Sequence, residues 1–157
     1  MDRPLIPLPA RLALLGIGNE LRGDDAAGLH VARGLLARRD LPPGWLVLET
    51  GPAPENFTGW LRRSTPEMVL LVDAAQMGGH PGEVRWLDWQ DTTGMSASTH
   101  TLPLHLVAQY IERELHCPVW LVGIQPQQNE VGALLSPAVA QAVEGLVKLL
   151  IEQTIPY

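Results

Sequence analysis

Three aspartates stand where a carboxylate is expensive to place without a task. Asp73 closes the apolar run MVLLV at 68–72. Asp24 and Asp25 follow the glycine-punctuated run RLALLGIG at 11–18, across the polar stretch NELRG. A charge at the end of a buried run is strongly disfavoured unless it is hydrogen-bonded, paired or bound to a metal. Asp73 is therefore the most informative single residue, with two readings open: a working carboxylate, or a cap on a neighbouring turn. For Asp24 and Asp25 the bland role is capping of the helix that follows, worth about 1 kcal/mol for one side chain. Only one of the two can cap. Asp24 is nearer the cap position, which leaves Asp25 as the candidate ligand.

The five histidines sort by position. His30 falls inside a helical pattern and His80 in a Pro-Gly turn, and both read as solvated. His116 adjoins Cys117, and neighbouring residues point apart, so they make a poor catalytic pair. Cys117, a lone cysteine before an apolar run, reads as core. His100 and His105 are five residues apart, which on a helix is ~140° of rotation, so they cannot form a one-faced metal pair. His100 lies in a polar loop ahead of the helix, where a ligand can approach, and His105 reads as internal to it. Two carboxylates and one imidazole would make an open site for nickel or zinc, with water or substrate filling the remaining positions. Such an ion polarises a carbonyl or lowers the pKa of a bound water.

These residues have to be positioned by the surrounding elements. RLALLGIG (11–18), WLVLET (45–50), EMVLLVDAA (67–75), EVRWLDW (83–89) and VWLVGI (119–124) read as strands, and the ambiguous alternation of 83–89 suits an edge. AAGLHVARGLLARR (26–39) has Leu29, Ala32, Leu35 and Leu36 at helical spacing. A short helix is expected up to about Arg63, and another from about Pro103 to Leu115. SPAVAQAVEGLVKLLIEQ (136–153) is the clearest helix, with Ser136 as N-cap, Pro137 in its first turn, and a stripe of Val139, Val143, Leu146, Leu149 and Leu150. The expectation is an α/β, three-layer fold: a five-stranded, mostly parallel twisted sheet between helices, with one antiparallel edge strand. Right-handed crossovers put the site at the carboxyl ends of the strands, directing attention to the loops after residues 18, 50, 72 and 124.

Composition sets the bounds. The chain has 157 residues, 46% hydrophobic and 18% charged, with a formal net charge of -6. That is one globular domain, whose acidity disfavours nucleic acid as a partner. Residues 1–10 form a proline-rich leader and 11–157 a single domain. One cysteine excludes an internal disulfide and a multi-thiolate metal site. No run approaches the ~20 apolar residues of a membrane span, so a cytoplasmic protein without membrane insertion is expected. GIGNEL at 16–21 begins like a dinucleotide fingerprint, but Leu21 occupies its third glycine position, and the next strand-end acid, Glu49, comes late.

The blocks LLGIGNELRGDDAAG (14–28), GPAPEN (51–56), LLVDAAQMGGHPGEVR (70–85), STHTLPL (98–104) and LVGIQP (121–126) occur in this order. They resemble the hydrogenase maturation endopeptidases. PGEVR and GIQP are closest to the branch that processes hydrogenases of the formate-hydrogenlyase type. The resemblance covers roughly 11–153. It implies an endopeptidase that removes a C-terminal extension from the large-subunit precursor of a nickel–iron hydrogenase after nickel insertion. It also implies that the family's metal-contacting acid, aspartate and histidine fall on Asp25, Asp73 and His100. The ion met would be nickel carried by the substrate, with no tightly held metal of the protein's own. The other readings to weigh are a non-catalytic nickel carrier using the same residues and a related protease of the spore-germination type.

Overall fold

The computed structural model of the chain describes residues 7–92 and 103–154. Strand β1 (Leu12–Ile17) and strand β3 (Met68–Ala74) are buried at every position. A run that is apolar on both faces has to be covered on both sides. The sheet is completed by β2 (Leu46–Gly51), β4 (Val84–Asp88) and β5 (Val119–Ile124), in the order β2-β1-β3-β5-β4. All neighbours are parallel except β4, which runs antiparallel to β5 at the edge, as the sequence leads one to expect.

Side-chain alternation divides the interior in two. Leu12, Leu14, Met68, Leu70 and Val72 face α1 (Ala27–Leu36) and α4 (Pro137–Glu152). Ala13, Leu15, Ile17, Val69, Leu71 and Leu121 face α2 (Thr58–Ser64) and α3 (Leu104–Leu115). Asp73 shares the parity of Val69 and Leu71, so the period-2 rule assigns it to the α3 face.

Two helical stripes differ from expectation. α1 ends at Leu36, which is half exposed, and Val31 joins Leu29, Ala32 and Leu35 on its buried face. Leu36 is one ~100° step beyond Leu35 and turns off the core. Arg38 and Arg39 lie past the helix, with Arg38 forked onto Asp40 at 2.8 Å. In α4, Val147 takes the fully packed place expected of Leu149, which is only partly buried.

Gly28 fixes α1 against the sheet. A Cβ there would strike the carbonyl oxygens of Val72 and Ile17, so no other residue allows this approach. The first turn of α1, and the acids just before it, are thereby pinned over the junction of β1 and β3. At the other end of the sheet Leu8 is buried and its N–H donates to Gln153 at 2.9 Å. Among the described residues no helix is long and apolar enough to cross a membrane.

Candidate functional site

Successive connections leave β1 toward β2 on one side and β3 on the other, so the carboxyl ends of β1 and β3 bound the switch point of the sheet. Asp25 sits in a 3-10 turn, Gly23–Ala26, that packs against β3. Asp73 is the penultimate residue of β3, in register with Gly123 of β5. Both aspartates are buried. The topology therefore brings to one place the two carboxylates singled out from the sequence.

Of the two adjacent acids, Asp24 has a structural role that its partners define. Asp24 caps no helix of its own: the 3-10 turn and α1 both lack a side-chain cap. Its carboxylate instead accepts from the N–H groups of Gln127 (2.8 Å), Gln128 (3.1 Å) and Ser136 (2.7 Å), and from the Ser136 hydroxyl at 2.8 Å. Four donors saturate one carboxylate. Ser136 is the N-cap residue of α4, but its hydroxyl serves Asp24 rather than the helix. Asp24 is thus a tie between the β1–α1 loop and the β5–α4 loop.

Asn19 shapes the turn that holds Asp25. Its N–H donates to the Asp25 carboxylate at 3.2 Å, while its side-chain oxygen accepts from the Leu21 N–H at 2.9 Å. Gly18 is equally constrained, since a Cβ there would meet the Asp25 carbonyl. The G-x-G-N stretch thus serves to fold a turn around a carboxylate. Thr50, at the end of β2, donates toward the Gly16 and Gly51 carbonyls at 3.2 Å and fixes the neighbouring strand end.

Asp73 lines a cavity of about 30 Å³ on the α3 face, with Leu71, Leu87, Leu104 and Leu121 as its apolar walls and Thr92 and His105 as further polar groups. About one water-sized probe needs 10–15 Å³ of such space, so a small group fits. His105 lies in the first turn of α3, inside the helix as expected, but it faces the same cavity as Asp73. That placement was not legible from its spacing to His100. The loop after Asp73 is organised by Gln125, a buried residue after β5. Its side-chain oxygen accepts from Met77 N–H (2.7 Å) and Gly79 N–H (3.3 Å), and its amide donates to Gln76 at 2.9 Å.

The other candidates fall away from this centre. His80 and His116 are exposed, the latter at the left-handed C-cap of α3. His30 is half-buried in α1 rather than freely solvated, and burial, with Arg33 nearby, lowers its pKa below the ordinary 6.5. Cys117 is buried in the α3-side core; burial raises its thiol pKa, with Glu112 adding to the effect. A raised pKa is the reverse of what a nucleophilic cysteine needs. His100 lies outside the described residues. Among those described, no group of three or more His, Cys, Asp and Glu side chains is arranged to hold a metal. Asp25 and Asp73 supply hard oxygen donors from the turn before α1 and from the end of β3, a donor type that can meet a cation or accept a proton from water.

Comparison with known proteins places this arrangement in context. The family model of the hydrogenase maturation proteases matches residues 29–153. The hydrogenase 3 maturation protease of Escherichia coli K12 is 38% identical over 115 residues, spanning 72% of this chain and 71% of that protein. The crystal structure of the NiFe hydrogenase maturation protease HycI from Thermococcus kodakarensis superposes with a TM-score of 0.81 at 36% identity, covering 91% of each chain. The solution structure of the endopeptidase HycI from Escherichia coli gives a TM-score of 0.81 at 32% identity over 90% of each chain.

Proposed function

Because this chain belongs to the hydrogenase maturation proteases, we propose that it removes the C-terminal extension of a nickel–iron hydrogenase large subunit once nickel has been inserted. It is a peptidase, which sets aside the non-catalytic carrier. The observation that carries the reading is the convergence of two buried carboxylates, Asp25 and Asp73, at the switch point of the sheet. Carboxylates are costly to bury at strand ends unless a cation or a donor meets them.

In this reading Asp25 and Asp73 contact the nickel carried by the precursor, with His100 as the third contact. A precursor without nickel offers these acids no cation and is passed over. Hydrolysis then needs a water, deprotonated by a carboxylate as it attacks the scissile carbonyl carbon. The C–N bond breaks and the departing amine takes up the proton. Nickel next to the carbonyl or the water would lower the barrier electrostatically. The loop beginning at Gly51 borders the same strand ends and is the candidate wall for the extended tail. The protein acts in the cytoplasm in this reading, on the folded, metal-loaded precursor.

The test mixes the purified protein with nickel-loaded and nickel-free large-subunit precursor and follows the tail by mass spectrometry. Shortening of the loaded precursor alone is expected. If neither form is shortened the processing role fails, and equal shortening of both removes nickel from recognition.

A further inference from the structure

Three large apolar side chains project from the loops that flank Asp25. Leu21, in the β1–α1 loop, is 69% exposed; Val131 and Leu134, in the β5–α4 loop, are 74% and 87% exposed. Single exposed leucines are ordinary, whereas three on two adjoining loops form a patch that asks for an occupant. The Gly132 N–H donates to the Leu21 carbonyl at 2.8 Å and joins the two loops directly, while the Gln128 side-chain amide braces the β5–α4 loop from within by donating to the Leu134 carbonyl at 2.9 Å. The saturated carboxylate of Asp24 locks their bases together. The patch is therefore held out by the fold itself.

Beside it runs an open groove of about 390 Å³ between α1 and the β5–α4 loop, lined by Glu20, His30, Arg33, Leu134 and Leu135 among others. Its charges satisfy one another, with Arg33 bonded to Glu20 (2.9 Å) and Glu49 (2.6 Å). Apolar contact is what this surface has left to offer.

Building on the processing role above, we propose that Leu21, Val131 and Leu134 form the docking surface for the folded body of the large-subunit precursor, an apolar protein face, while its tail enters toward Asp25 and Asp73. Continuity supports this occupant. Leu21 is bonded to Asn19, which is bonded to Asp25, so the patch rims the candidate site. A second copy of the chain seated there would hood that end of the sheet and keep the substrate out. The surface is preformed, so docking needs no ordering of these loops.

The experiment compares wild type with the triple variant Leu21→Ser, Val131→Ser, Leu134→Ser, and with Trp60→Ser, which removes an exposed aromatic on α2. Binding to nickel-loaded precursor is measured in an Asp73→Asn background, separately from cleavage in the wild-type background. The triple variant is expected to lose about tenfold or more in affinity and to raise KM to match, with kcat at saturation kept and Trp60→Ser unchanged. Circular dichroism melting checks that the exposed substitutions leave the fold intact. Unchanged binding overturns the proposal, as does a fall in kcat without a rise in KM. Concentration-dependent dimerisation of wild type that the triple variant abolishes also overturns it, because the patch would then be a self-interface. Failure of the processing role alone appears as an uncut precursor that still binds through the patch.

Discussion

The loop after β1 and the carboxyl end of β3 deliver buried acids to the same end of the sheet, yet the two regions are built differently. Around Asp24 the carboxylate is surrounded by donors from a loop over a hundred residues away, and its charge is spent holding two connections together. Asp73 stands in the wall of an apolar cavity on the α3 face, with His105 and Thr92 across the same space. One region is a finished structural joint, and the other keeps room for a small group. The proposed cleavage of a nickel-loaded precursor would use both: a fixed frame on one flank and space on the other.

The largest effect that could break this comparison is on cleavage. Asp73→Asn is expected to reduce tail removal by about 100-fold or more, the scale of losing an acid–base group, with the melting temperature close to wild type. Full activity in Asp73→Asn, measured by mass spectrometry of the precursor, would show that the cavity side is also merely structural. Asp24→Ala should behave in the opposite sense. It strands the buried N–H and hydroxyl of Ser136 and two half-buried N–H groups, of Gln127 and Gln128, and urea denaturation should show a loss of about 3 kcal/mol. A much smaller loss would mean that the β5–α4 loop does not depend on this joint.

The titratable groups on the two flanks sharpen the contrast more gently. Cys117, on the α3 flank, has its thiol pKa raised by burial, so it stays protonated at neutral pH. Cys117→Ala should leave cleavage within about twofold, and native protein should alkylate far more slowly than protein unfolded in urea. Fast native labelling would contradict the core assignment. His30, on the α1 flank, has its pKa lowered below 6.5 by burial and Arg33. Its contribution is fully present above about pH 6.5 and is lost as pH falls, because the unfolded chain then takes up the proton first. His30→Gln should therefore lose less melting temperature than wild type between about pH 7.5 and 5.5. The difference should be well under about 1 kcal/mol, because the ring is only half-buried.

Much of this architecture is legible in linear order. Strands buried on both faces leave unbroken apolar runs, and a carboxylate ending such a run, as Asp73 ends β3, marks itself by its cost. The helices read through their stripes, with errors only where one residue of rotation moves a side chain off the core, as at Leu36 and Leu149. His105 lies inside its helix as expected, but helical spacing says nothing of which wall its ring faces, and only the fold shows that it lines the cavity with Asp73. His100 belongs to the segment outside the described residues, and its role rests on the family resemblance.

The sequence by itself determined the elements, their alternation and the presence of acids at two strand ends, because burial and backbone periodicity are local properties written into neighbouring residues. Only the tertiary structure decided what Asp24 does. The donors that claim Asp24 lie 103 to 112 residues away, in a loop and a helix start with no local relation to it. A carboxylate's role is set by what surrounds it in space, and no spacing rule reaches that far.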